Sequence, residues 1–261
     1  MDQTSHFSIS TRSLYARLGK ASSPMLLDVR PTPTFEADRV MIASAQRRAP
    51  EAFDQWQSVL PGDRSIVVYC GDGLEISEAI AARLREAGHH ACYLEGGLGA
   101  WISAGLPQRF RRPQAAAWVT RERPKVDRIA CPWLVRRFID PEARFLYVPA
   151  AEVVETATRT GAIPYDVAGV EFGHVDERCS FDAFLRIYGI RDPALDHLAL
   201  IVRGADTGRT ELTPQSPGLL ALSHGLSATF SDDHEQLERG MVMYDALYAW
   251  CRSNTLETRR Q

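Results

Sequence analysis

Three short apolar runs, Met25-Leu26-Leu27-Asp28-Val29, Ser65-Ile66-Val67-Val68-Tyr69 and Ala91-Cys92-Tyr93-Leu94, are separated by stretches with helical spacing, and this alternation restricts the fold more than any other feature. Ala52, Phe53, Trp56 and Leu60 recur at near-helical intervals between the first two runs. After Cys70, Ile76, Ile80, Ala81 and Leu84 mark one face of a helix that Gly88 ends. Gly96-Gly97 then leads into a short helix holding Leu98 and Trp101. Strands separated by helices cannot be joined as hairpins. They must lie parallel, linked by crossovers, so the N-terminal part is expected to be an α/β parallel sheet with flanking helices.

The chain has 261 residues, 45% of them hydrophobic, enough for two modest domains. Gln108-Arg109-Phe110-Arg111-Arg112-Pro113-Gln114 is basic, contains proline and lacks periodicity, so it reads as a linker. The expected division is a first domain over residues 1–110, a linker over 111–117 and a second domain over 118–261. The pattern restarts with strand candidates at Ala117-Trp118-Val119-Thr120 and Phe145-Leu146-Tyr147-Val148, and a helix from Asp127 through Trp133, Leu134 and Phe138. From Ser180, itself a candidate cap, helices dominate. Asp192-Pro193 forms a cap and first-turn pair, and Asp232 with Glu235 a capping box. Leu237, Met241, Tyr244, Tyr248 and Cys251 share one face of a long final helix. This half is expected to be a mixed α/β domain that is mostly helical.

A formal charge of −3, from 30 basic and 33 acidic side chains, provides no field to draw in nucleic acid or an anionic membrane. The N-terminal Met1-Asp2-Gln3-Thr4-Ser5-His6 has no basic leader, and no apolar run approaches roughly 18 residues. A cytoplasmic protein without membrane or nucleic-acid partners is expected. The cysteines, at 70, 92, 131, 179 and 251, are odd in number and form no CxxC pair, so neither a disulfide framework nor a thiolate zinc knuckle is indicated. The sequence assigns no oligomeric state.

Cys70 follows a buried-strand pattern and precedes Gly71-Asp72-Gly73-Leu74-Glu75-Ile76 and a helix. At the carboxyl end of a parallel strand, such a loop can turn backbone N–H groups toward one sulfur, and the helix N-terminus adds partial positive charge. That stabilises a thiolate or persulfide. The plainer alternative is a small buried hydrophobe at a strand end, the role also expected of Cys92. Leu27-Asp28-Val29-Arg30, Ile42-Ala43-Ser44-Ala45, Val68-Tyr69-Cys70 with Gly73, and Tyr93-Leu94-Glu95-Gly96-Gly97-Leu98-Gly99-Ala100-Trp101 with Ala104-Gly105-Leu106-Pro107 resemble the successive motifs of the rhodanese family.

The resemblance implies that Cys70 is the nucleophile of a sulfurtransferase, taking sulfane sulfur from a small donor and passing it to a thiol acceptor without a cofactor. It further implies that the amides of Gly71, Asp72, Gly73, Leu74, Glu75 and Ile76 form the cradle. Three positions depart from the family's usual pattern: Thr34 stands where an acidic residue is common, Ser44 where glycine is, and Glu75 where arginine is. Glu75, with Asp72, would repel an anionic donor such as thiosulfate.

Lys125-Val126-Asp127-Arg128-Ile129-Ala130-Cys131-Pro132-Trp133-Leu134, Glu171-Phe172-Gly173-His174 and Asp232-Asp233-His234-Glu235-Gln236-Leu237-Glu238-Arg239-Gly240 resemble the C-terminal domain of ChrB-type chromate-resistance proteins. That implies a role in tolerance to chromate or a related stress. From the residues themselves, His174, Asp206 and His234 stand at ends or turns of different helices, where they could converge on a divalent metal, Zn, Mn or Fe, with Cys179 as a further candidate. Asp127 and Arg128 read as a helix cap and a surface cation. The competing function is a binding protein without catalysis, a sensor of redox state, metal or oxyanion.

Overall fold

The computed structural model describes residues 7–258, which form two compact units. The first comprises the chain up to Arg111 with Arg137–Asp140, and the second Arg112–Arg136 with the chain from Pro141.

The first unit runs β1 (Ser8–Ile9), α1 (Thr11–Arg17), β2 (Met25–Asp28), α2 (Thr32–Ala37), β3 (Val40–Ile42), β4 (Gln46–Arg47), α3 (Phe53–Trp56), β5 (Ile66–Tyr69), α4 (Glu75–Glu86), β6 (Ala91–Leu94), α5 (Gly97–Ser103) and β7 (Gln108–Phe110). Five strands form a parallel sheet in the order β1-β6-β5-β2-β4. Successive side chains of its central strands leave on opposite faces. Leu27 and Val68 pack with Phe53, Trp56, Ile80 and Leu84 from α3 and α4. Leu26, Val67 and Tyr69 pack with Leu14, Leu98 and Trp101 from α1 and α5. A sheet covered on both faces accounts for strands that are apolar throughout rather than alternating.

One correction concerns Gln108–Phe110. These residues are a strand, β7, paired antiparallel with β3, and the largely buried Arg109 donates to the carbonyl of Ala45 at 3.0 Å. A three-residue edge strand whose partner lies far back in the chain carries no local periodicity, which is why it reads as linker. Ser44 adopts φ 69°, the left-handed region in which glycine is at ease.

A charged group lies at the carboxyl ends of β2 and β5. Arg30 and Asp28, each at most 1% exposed, pair at 2.5 Å, while Arg30 also reaches Asp38 at 2.8 Å. The Tyr69 hydroxyl donates to Asp28 at 2.9 Å and accepts from the Ile42 amide at 3.2 Å. Burial drives the Tyr69 phenol far above its ordinary range, with the Asp28 charge adding to it.

The second unit runs β8 (Trp118–Arg121), α6 (Asp127–Leu134), β9 (Phe145–Val148), α7 (Val153–Thr160), β10 (Ile163–Pro164), α8 (Ser180–Tyr188), α9 (Pro193–Asp206), α10 (Ser216–Thr229) and α11 (Asp233–Thr258). Its parallel sheet has the order β10-β8-β9. Trp118 from the central strand meets Phe172 and Phe184 at about 5 Å in an aromatic core. Asp192 caps α9 through the amides of Ala194 and Leu195, and Leu237, Met241, Tyr244, Tyr248 and Cys251 form the buried face of α11. The cap of α8 is Cys179 rather than Ser180, its amide donating to Asp182 at 3.1 Å.

Removing one member of a buried ion pair leaves the other charge uncompensated. Arg30→Met should therefore cost about 3–5 kcal/mol, read as a lowered urea midpoint. An unchanged midpoint would mean that Asp28 does not depend on Arg30.

Candidate functional site

Each unit carries one group of reactive side chains, and both lie beyond the carboxyl ends of parallel strands, the usual place for sites in open α/β sheets. In the first unit, Cys70 directly follows β5 and is 3% exposed. Its Sγ accepts from the Gly73 amide at 3.2 Å, lies 3.4 Å from the Ser77 hydroxyl and donates to Asp72 Oδ1 at 3.2 Å.

Glycines explain why the loop takes this path. A Cβ on Gly73, φ +74°, would fall 2.4 Å from the Gly97 nitrogen, and one on Gly97, φ +52°, 2.5 Å from the Cys70 carbonyl oxygen. Neither a side chain nor its preferred backbone fits at either position. In that close contact the first turn of α5 donates to the loop: Leu98 N to Cys70 O and Gly99 N to Gly71 O, both at 2.9 Å.

The cradle is narrower than expected from the sequence. Among the described residues, Gly73 supplies the one backbone amide within hydrogen-bond distance of the sulfur. The Leu74 amide is taken by Asp72 Oδ1 at 3.2 Å, and Glu75 and Ile76 open α4 without a bond to Sγ. The amides of Gly71 and Asp72 likewise make no bond to it. Asp72 and Glu75 are both exposed, and it is the Asp72 carboxylate that meets the thiol, at 3.2 Å. The Cys70 hydrogen bond holds the Asp72 carboxyl below its usual range, with the Leu74 amide adding to the effect.

In the second unit, four side chains converge. Nε2 of His174 lies 3.0 Å from Asp206 Oδ2, 3.2 Å from Asp166 Oδ1 and 3.5 Å from Asp127 Oδ2, and one ligand atom from each of the four residues lies within 4.8 Å of the others. Asp127 opens α6 after β8, Asp166 follows β10, and Asp206 is the last residue of α9. Asp166 and His174 are brought side by side because the Asp166 amide donates to Phe172 O at 3.1 Å, closing the loop between them. Ser180 Oγ donates to Asp166 at 2.9 Å, and the buried amide of Ser180 donates to Asp127 Oδ2 at 2.5 Å. Arg128 and Arg121 approach the far oxygen of Asp166 at 3.3 and 3.5 Å. The close carboxylates of Asp127, Asp166 and Asp206 push the His174 imidazole up to about 12. Burial, with the Asp206 charge, pushes the Asp127 carboxyl up to about 7.

His174 and Asp206 thus meet, but His234 does not join them. Its ring packs 5.4 Å from Tyr147 and lines a separate cavity with Arg136 and Phe145, because the first turn of α11 faces β9. Cys179 also stays apart: burial, then the charges of Asp127 and Asp182, push its thiol far up. Asp127 and Asp166 were not legible as site residues. The first carries the pattern of an ordinary cap and the second that of a turn.

Residues 118–251 match the family model described as ChrB, C-terminal domain. The chain is a member of the ChrB C-terminal domain family. A rhodanese-like domain covers residues 10–104. Protein ChrB of Cupriavidus metallidurans is 32% identical over 149 residues, 56% of this chain, and the chain spans 44% of that protein's length. A sulfurtransferase of Allochromatium vinosum is 32% identical over 99 residues, 38% of this chain and 91% of that protein. A rhodanese-related protein of Thermoplasma volcanium, of known structure, is 25% identical, covering 39% of this chain and 96% of that one with a TM-score of 0.35. Of the three ChrB-like segments, those holding Asp127 and His174 build the side-chain group. The third, Asp232–Gly240, is architectural: Asp233 accepts from the Arg123 amide at 3.0 Å, and the Gln236 side chain donates to Pro124 O.

Gly97→Ala should lower stability by about 1–3 kcal/mol in urea denaturation, because both the left-handed backbone and the contact with Cys70 oppose it. A variant as stable as the wild type would show that the loop does not rest on α5.

Proposed function

We propose that the chain is a sulfurtransferase whose carrier is Cys70, acting in tolerance to chromate. The observation that carries this reading is the placement of Cys70 Sγ under the Gly73 amide at 3.2 Å, in a loop fastened to α5 at the carboxyl end of a central strand. The chain's membership of the ChrB C-terminal domain family supports the stress role, and its likeness to a bacterial sulfurtransferase supports the chemistry. The remaining thiols suit the assignment. Burial pushes Cys92, Cys131, Cys179 and Cys251 above the ordinary cysteine range, which keeps them protonated and poorly nucleophilic.

In the transfer, the Cys70 thiolate attacks the terminal sulfur of a small persulfide. A bond forms between Sγ and that sulfur, the donor's S–S bond breaks, and the donor leaves as a thiol after taking up a proton. An acceptor thiolate then removes the sulfur and returns Cys70 to its thiolate. Gly73 N–H and the Ser77 hydroxyl can stabilise charge on the sulfur. Asp72 stands 3.2 Å from Sγ, and residues 70–78 contain no lysine or arginine, so a persulfide is a better donor than the dianion thiosulfate. No disulfide joins the five cysteines, which fits action in the reducing cytoplasm.

Sulfur transfer from a small persulfide to a thiol should fall to background in Cys70→Ser. With thiosulfate as donor, Asp72→Asn should raise kcat/KM by about three- to fivefold, the size expected of one exposed charge. Glu75→Gln should change it less, since that carboxylate makes no contact with the sulfur. Undiminished transfer by Cys70→Ser would refute the proposal. A greater gain from Glu75→Gln than from Asp72→Asn would refute its account of donor choice.

A further inference from the structure

We infer that Asp127, Asp166, His174 and Asp206 form a binding site for one divalent first-row metal ion, Mn2+ or Fe2+ before Zn2+. This goes beyond sulfur transfer and rests on different residues in the other unit.

Spacing is the first ground. Ligands held about 2.1 Å from a common ion stand roughly 3.0–3.4 Å apart when adjacent in octahedral or tetrahedral geometry. The imidazole nitrogen meets the three carboxylates at 3.0, 3.2 and 3.5 Å. A single N–H can serve one of these oxygens, not three. Three carboxylates crowd one nitrogen, an arrangement that a cation at their centre resolves.

The second ground is independent of the spacing. Asp127 is fully buried: its Oδ2, which faces His174, accepts from the Ser180 amide, while its other oxygen, Oδ1, has no hydrogen-bond partner among the described residues. A buried carboxylate oxygen without a partner carries the full cost of desolvation unless a cation compensates it. Asp206 adds to the argument as the last residue of α9, where the helix presents partial negative charge that disfavours a carboxylate. Arg128 and Arg121 neutralise the outer oxygen of Asp166, so that its Oδ1, held by Ser180 Oγ, faces His174.

One nitrogen and three carboxylate oxygens form a hard donor set, which favours Mn2+ or Fe2+ where a cysteine-containing set would favour Zn2+. The His174 side chain is 42% exposed, so the ion would face solvent on that side and keep positions for water or an oxyanion.

The test is equilibrium dialysis of the whole chain against Mn2+, after stripping with chelator, with the Mn2+ signal in electron paramagnetic resonance as a second readout. Wild type should hold one Mn2+ per chain with a spectrum of immobilised ion. His174→Ala and Asp206→Asn, both at solvent-accessible positions, should weaken binding at least about tenfold. Glu177→Gln, an exposed carboxylate near His174 in sequence, should bind as wild type does. Should the Asp206 variant fail to fold, His174→Ala with circular dichroism of the wild type alone decides. Wild type that binds neither Mn2+ nor Zn2+, or folded His174→Ala that binds Mn2+ as tightly as wild type, would overturn the site.

Discussion

The contact between the Cys70 loop and the first turn of α5 governs what the first unit can do. Two amide-to-carbonyl bonds at 2.9 Å, from Leu98 and Gly99, hold the loop from below. Gly73 and Gly97 make that approach sterically possible. With the loop pinned, the Gly73 amide is left to face the sulfur, and Asp72, which also accepts from Leu74, is fixed beside it. The glycine pair after β6 therefore acts at a distance in sequence: it shapes a loop about 25 residues earlier. Both faces of the sheet must be packed for this to hold, and the apolar strands supply the packing.

In the second unit, an equivalent demand falls on the segment before Asp127. Val126 takes φ 37°, costly for a β-branched residue, and is held from several sides: its amide donates to Ser223 at 2.7 Å and its carbonyl accepts from Tyr244 at 3.1 Å. Helix α11 passes close to α6, since a Cβ on Gly240 would fall 2.4 Å from an Ile129 methyl carbon. These contacts place Asp127 in full burial, where one oxygen serves the N-terminus of α8 and the other is unpartnered. Asp166, φ 52°, repeats the theme of backbone strain at a converging carboxylate.

Much of this was legible in the sequence, for definite reasons. The strands and helices of the first unit show because burial on both faces imposes long apolar runs, and Cys70 shows because a glycine loop follows one of them. The helical part of the second unit was marked by caps at Asp192 and Asp232 and by the apolar face of α11. What was hidden depends on contacts between distant segments. Strand β7 is defined by its pairing with β3, not by its own pattern. The influence of Asp72 over Glu75 depends on which carboxylate the loop brings to the sulfur. Asp127 and Asp166 resemble a cap and a turn residue, and only the fold brings them to His174, while the same fold turns His234 toward Tyr147.

The claim that Cys70 is the sulfur carrier is tested most directly by locating the transferred atom. After brief exposure of the native protein to a small persulfide and capping with an alkylating reagent, peptide-level mass spectrometry compares all five cysteines. The account predicts one added sulfur on the peptide containing Cys70, with Cys92, Cys131, Cys179 and Cys251 unmodified. Addition at any of those four ahead of Cys70 would contradict it.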